Sequence, residues 1–278
     1  MKNTNNPSVP RTRLRQFKRP PPKKSINKNV IVRRNSKRYD FEIFAYCSEN
    51  YLDAYEFVID SWLATSATKI TIYTDFDLKP KNKRIEIINM FPKSEDWIVG
   101  TGRRLDIIKH FSEKNKNTGK NVLFMDIDCY IVRDIGYVFS KSFDIGITRL
   151  YPRGSYSNKT ATAGLWFARM TEGYSKFIND WDKLAKQYYS RGKGIKPHLI
   201  SYVQYSFTDI SHMGIKTKAY NILALEERMY NSEHSVTKDW IDLVKRYGPD
   251  ILHFKGRRFR KAGIVDQIFK AARVKRNV

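Results

Sequence analysis

The chain has 278 residues, 41% of them hydrophobic and 14% aromatic, enough apolar material for one large or two small packed domains. It carries 52 Lys and Arg against 28 Asp and Glu, a formal charge of +24, with Cys47 and Cys129 as its two cysteines. No apolar run reaches the length of a membrane span, a disulfide framework is not indicated, and the N-terminus lacks the apolar core of a secretory signal. The expected location is therefore cytoplasmic or otherwise intracellular, with both thiols reduced.

Thirteen of the cations and none of the acids fall between Met1 and Tyr39, among Asn, Ser and the Pro20 to Pro22 run. Residues 1–38 are thus expected to form a disordered basic arm, ahead of a single domain over residues 39–278 that ends in a helix. The remainder, Asp40 to Val278, keeps 39 basic and 28 acidic residues and a charge of +11, which suits anionic ligands.

From Asp40 onward strand-like and helix-like segments alternate, which predicts an α/β class with a central, mostly parallel mixed sheet flanked by helices. Phe41 to Cys47 reads as the first strand. Leu52, Tyr55, Val58, Ile59, Trp62 and Leu63 recur at helical spacing, followed by strands over Lys69 to Thr74 and Arg84 to Asn89. Leu105, Ile108 and Phe111 mark a helix, and the Asn117-Thr118-Gly119 turn delivers the chain into Val122 to Val132, an apolar run read as one buried strand. Strands are expected over Phe143 to Arg149 and Ala163 to Arg169, separated by a polar loop from Pro152 to Lys159. Tyr174, Phe177, Ile178, Trp181, Leu184 and Tyr188 form a helical stripe of core character. Beyond it come a helix from Lys196-Pro197 through Phe207, a strand at Tyr220 to Leu223, and a helix from Thr237 to Tyr247. A last strand, Asp250 to Phe254, precedes a basic loop, Gly256 to Lys261, and a terminal helix, Ile264 to Val274.

The buried run carries Asp126 and Asp128. On one strand both carboxylates point to the same face while Ile127 packs behind, and a pair of buried charges demands a cation or strong donors. Hard cations such as Mn2+ and Mg2+ take carboxylate oxygens and bridge them to phosphate. In open α/β sheets ligands bind beyond the carboxyl ends of the strands, where three polar candidates fall: the Cys47 to Tyr51 turn, the aspartate pair, and His253. A neutral imidazole beside two carboxylates leaves positions open for two phosphate oxygens.

These motifs, spread over roughly Phe41 to Phe259, resemble in order those of nucleotide-sugar-dependent glycosyltransferases with the Rossmann-like A-type fold. The likeness is to the retaining glycogenin and bacterial galactosyltransferase group. Ala45-Tyr46-Cys47-Ser48-Glu49-Asn50-Tyr51 is similar to that family's base-binding turn, and Arg104-Leu105 to an arginine-leucine pair whose arginine contacts donor sugar and phosphates. Asp126-Ile127-Asp128 resembles its Asp-x-Asp motif, Thr162-Ala163-Gly164 a segment near the transferred sugar, and His253-Phe254-Lys255-Gly256 its His-Phe-x-Gly motif. The resemblance implies a metal-dependent hexosyltransferase taking a nucleoside-diphosphate sugar, a UDP-sugar by preference, to an acceptor hydroxyl with retention. It implies metal ligation by Asp126, Asp128 and His253, and donor contacts from Ala45, Cys47, Ser48, Tyr51, Arg104, Asp126, Ile127, Thr162, Ala163 and Gly164. Further donor contacts would come from Lys255, Gly256, Arg257 and Arg258. The family's catalytic Asp-Gln pair is Val203-Gln204 here, so Gln204 and Arg104 are the catalytic candidates that carry over. Where the family has a phosphate-binding lysine after its glycine, this chain runs Arg257-Arg258-Phe259-Arg260-Lys261.

Two other classes fit parts of the pattern. A haloacid-dehalogenase-type phosphatase also places Asp-x-Asp after an apolar strand, but near the chain start and with different following residues. A nucleic-acid-binding protein would use the basic arm, and the positive body leaves room for an anionic acceptor such as a phosphorylated glycan or modified nucleic acid.

Overall fold

The computed structural model describes residues 37–90, 104–149, 161–191, 198–233, 237–254 and 263–272. Nearly all of the expected basic arm, the Pro152 to Lys159 loop and the Gly256 to Lys261 loop lie outside them. So do the donor-binding candidates Lys255, Gly256, Arg257 and Arg258.

The elements run β1 (Phe41–Cys47), α1 (Leu52–Leu63), β2 (Ala67–Thr74), β3 (Ile85–Asn89), α2 (Arg104–Lys114), β4 (Asn121–Met125) and β5 (Cys129–Ile131). They continue as β6 (Ile145–Arg149), β7 (Leu165–Arg169), α3 (Glu172–Arg191), α4 (His198–Thr217), β8 (Ile222–Glu226) and the short α5 (Glu227–Tyr230). Then come β9 (Ser232–Glu233), α6 (Thr237–Tyr247), β10 (Ile251–His253) and α7 (Ile264–Ala272). A seven-stranded sheet has the order β3-β2-β1-β4-β7-β6-β8, and a three-stranded sheet the order β5-β10-β9. In the large sheet β7 runs antiparallel to both β4 and β6, and every other pairing is parallel. The layered, Rossmann-like α/β architecture expected from the sequence is the observed one.

Strand alternation divides the core between the two faces of the large sheet. Ile43, Ala45 and Cys47 of β1, Leu123 and Met125 of β4, and Leu165 and Phe167 of β7 pack with α1 residues such as Tyr55 and Trp62. Phe44, Val122, Phe124, Trp166 and Ala168 leave the opposite face and meet α2, α3 and α4. There the rings of Phe124 and Trp166 stack at 4.0 Å, and the aromatic stripe of α3 contributes Tyr174, Phe177 and Trp181. A smaller cluster joins α6 and α7 to Leu252 and Phe254.

Three departures from the sequence reading have a packing cause. The helix expected to end at Phe207 continues to Thr217, because Ile210 extends the buried stripe. Gly214 then lets Tyr220 and Ile222 approach so closely that a Cβ there would lie 2.6 Å from the Tyr220 ring. β8 starts at Ile222 rather than Tyr220, whose ring turns back edge-on to Phe177 at 5.3 Å. The Val122 to Val132 run is not one strand. β4 stops at Met125, and Cys129 N donates to Asp126 O at 3.1 Å across a tight turn. That turn carries the chain out of the large sheet into the small one.

Candidate metal and donor site

The strand directions gather the candidate residues at one edge. β1 and β4 are parallel and end there at Cys47 and Met125, while antiparallel β7 begins there with Leu165 opposite Met125. β6 and β8, parallel to each other and reversed relative to β7, end there too. The small sheet supplies the last piece. Antiparallel pairing of β10 with β5 sets His253 opposite Cys129, and Phe254 N donates to Asp128 O at 2.9 Å.

Asp126 and Asp128 therefore reach a common point from a turn, not from the single strand face expected. Asp126 N donates to Gly164 O at 2.7 Å, prolonging the β4–β7 ladder by one step. The Asp128 Oδ1 atom lies 3.0 Å from His253 Nε2, and Asp126 Oδ2 lies 3.6 Å from the same nitrogen. Ile127 packs into the core behind them. Asp128 and His253 are buried, whereas the Asp126 side chain is 28% exposed and opens the site to solvent.

Arg104, in the first turn of α2, places Nη2 2.5 Å from Asp126 Oδ1. One carboxylate oxygen is thereby clamped and the other turned toward the imidazole. Gly164 makes this possible: a Cβ would fall 2.7 Å from Asp126 Oδ2 and 3.2 Å from His253 Cε1. Gly164→Ala is expected to push the Asp126 carboxylate away from His253, weakening divalent-cation binding about tenfold with the fold kept. Isothermal titration with Mn2+ beside a thermal melt checks this; unchanged affinity would sink it.

The histidine is itself oriented. Thr148 Oγ1 donates to Leu165 O at 3.1 Å and accepts from Asn231 Nδ2 at 3.5 Å. The Asn231 Oδ1 atom is thus left to accept from His253 Nδ1, 2.9 Å away. With the proton fixed on Nδ1, Nε2 faces the carboxylates, the arrangement in which imidazole ligates a metal. Burial disfavours the imidazolium. The adjoining Cys129 and Asp128 more than reverse this, and the His253 pKa is raised well above its usual value.

A proton therefore stands where a divalent cation would bind, and the two would compete. Because the folded pKa is raised, the stabilisation from protonated His253 is complete below the ordinary imidazole value and is lost as pH climbs through the folded one. Divalent-cation affinity is expected to rise over that same window. The gap in melting temperature between cation-loaded and cation-free protein should widen with pH in the wild type and stay flat in His253→Gln; equal pH dependence in both would refute this.

The other candidates have definite places. Thr162 Oγ1 accepts from Gly164 N at 3.1 Å. Gln204 on α4 accepts from Ala163 N at 3.0 Å and donates to Ala161 O at 2.9 Å. Its amide thus grips the loop that flanks Asp126. Ala45 and Cys47 direct their side chains into the core, which leaves only their backbone for a ligand. Ser48 and Tyr51 bracket a 3-10 turn closed by Tyr51 N to Ser48 O at 2.8 Å.

Sequence reasoning missed Asp75, whose carboxylate accepts from Tyr46 OH at 3.1 Å and Glu49 N at 3.3 Å and so braces that turn. It missed Asn231, which no local pattern marks, and Cys129. A carboxylate oxygen of Asp128, the Cys129 sulfur and a nitrogen of His253 lie within 4.8 Å of one another. Residue types and distances here fit a divalent cation: two carboxylates and an imidazole converge from separate elements and offer oxygen and nitrogen donors at one point.

No family model and no curated protein matches the chain. Among solved structures it is similar to the galactosyltransferase LgtC, determined in complex with donor and acceptor sugar analogues. The TM-score is 0.49 and the identity 14%, over 84% of this chain and 95% of that one. No described helix is long and apolar enough to cross a membrane.

Proposed function

We propose that the protein is a metal-dependent glycosyltransferase that moves a sugar, a hexose by preference, from a nucleoside-diphosphate sugar to an acceptor hydroxyl with retention. One observation carries the reading. Asp126, Asp128 and His253 meet at the sheet edge where α/β proteins bind nucleotides, with Nε2 turned to both carboxylates. Bound Mn2+ or Mg2+ would neutralise charge on the departing diphosphate.

The chain's own residues do the rest. Asp126 and Asp128 orient the ligand set toward solvent on the Asp126 side, while Arg104 fixes Asp126 and presents a guanidinium to donor oxygens. The Ser48 to Tyr51 turn, braced by Asp75, offers a platform for the base. In the reaction the anomeric carbon–oxygen bond to diphosphate breaks and a bond to the acceptor oxygen forms. The acceptor proton passes to the departing diphosphate. Gln204 supports front-side attack rather than a covalent intermediate: an amide is a weak nucleophile, and this one is committed to Ala161 and Ala163.

A thermal-shift panel of nucleoside diphosphates and their sugars, with and without Mn2+, tests the proposal. The preferred donor at a hundred times its Kd should add about 2.7 kcal/mol of stability, and only with the cation. A panel in which no nucleotide shifts the melt in either condition would refute it.

A further inference from the structure

Cys129 lies against the metal site but has no part in the proposed reaction. Its thiol is fully buried, and it stands directly opposite His253 in the β5–β10 ladder. The two side chains therefore leave the small sheet on the same face. With Asp128 they form a buried triad of one carboxylate, one thiol and one imidazole whose ligand atoms are mutually within 4.8 Å. Mn2+ and Mg2+ gain little from sulfur, whereas a thiolate, an imidazole and a carboxylate together are a donor set for zinc and its heavier congener. Exposure grades across the site in the same sense, from the 28% exposed side chain of Asp126 to the 1% exposed side chain of His253.

The geometry points to a second mode of this centre, in which a thiophilic divalent cation, Zn2+ or Cd2+, is held by Asp128, Cys129 and His253. This position is deeper than the one open to a diphosphate, and Asp126 or a water closes the fourth site. Loading breaks the S–H bond of Cys129 and the Nε2–H bond of the protonated His253, releases both protons to solvent and forms metal–sulfur and metal–nitrogen bonds, with no change of oxidation state. Because Asp128 and His253 serve both modes, a thiophilic ion excludes the cation that serves the donor and blocks turnover. The inference rests on the metal-binding part of the proposed function and not on sugar transfer.

The full-length chain is titrated with CdCl2 alone and followed by the ultraviolet charge-transfer absorption of a cadmium–thiolate bond. The expected result is one Cd2+ per chain, with the band present in the wild type and in Cys47→Ser. Cys129→Ser should lose the band and bind Cd2+ at least about tenfold more weakly. Its Mn2+ affinity should change by less than about threefold, because sulfur adds little for a hard ion. A wild type without the band, or a band that survives Cys129→Ser and disappears in Cys47→Ser, overturns the inference. Zinc-edge X-ray absorption on the unmutated chain needs no variant: a sulfur neighbour at about 2.3 Å supports it, and a shell of only nitrogen and oxygen overturns it. A sulfur-ligated zinc in a protein that binds no nucleotide in the thermal-shift panel upholds this inference while sinking the sugar-transfer reading.

Discussion

Asp128→Asn is expected to lower the proposed cation-dependent donor turnover by about a hundredfold or more while the chain stays folded. The substitution keeps the side chain's shape and its hydrogen-bonding reach to His253 Nε2, 3.0 Å away in the wild type. What disappears is the buried negative charge that would balance a divalent cation. Asp126 cannot replace it, because one of its oxygens is held by Arg104. Donor hydrolysis measured across a Mn2+ series, beside a circular-dichroism melt, separates loss of chemistry from loss of fold. Near-normal turnover with unchanged metal dependence would remove Asp128 from the centre.

Asp250→Ala is expected to cost about 3 kcal/mol of stability and to lower cation affinity with it. The Asp250 carboxylate is fully buried one residue before β10. It pairs with Arg133 Nη1 at 3.4 Å and accepts from the Tyr137 hydroxyl. Truncation strips both groups of that partner inside the protein. The low end of the range for breaking a buried pair applies, since Arg133 retains its bond to Gly248 O at 2.7 Å. Because this network anchors the strand that carries His253, the site should loosen with the fold. Urea unfolding checks the first effect and Mn2+ titration the second; a loss below about 1 kcal/mol would show that Asp250 is not the anchor.

The two expectations differ in how far they could be foreseen. Asp128 is visible in the sequence as a charge inside an apolar run. Asp250 reads in the sequence only as the first residue of the last expected strand, and its partners Arg133 and Tyr137 lie more than a hundred residues away. The same contrast runs through the fold. β1, α1, β2, β3, α2 and α6 follow from short apolar runs or from helical spacing, both of which are signals local to the segment. The break at Asp126 does not, because the apolar run continues unbroken through Cys129, Ile131 and Val132. Its first half pairs with β1 and β7 and its second with β10. Local pattern reports burial but not which strand supplies the hydrogen bonds.

The amino-acid pattern alone marks which residue types can hold a cation and where they stand along the chain: two aspartates within one apolar run and a histidine in a later one. Folding decides everything that makes them a site. The turn at residues 126–128, the pairing of β10 with β5, the Thr148–Asn231 relay behind His253, the bare Cα of Gly164 beside Asp126 and the arrival of Cys129 all depend on long-range contacts. Hydrophobic periodicity is a local signal, and these contacts join segments whose separation in sequence carries no information about their proximity in space.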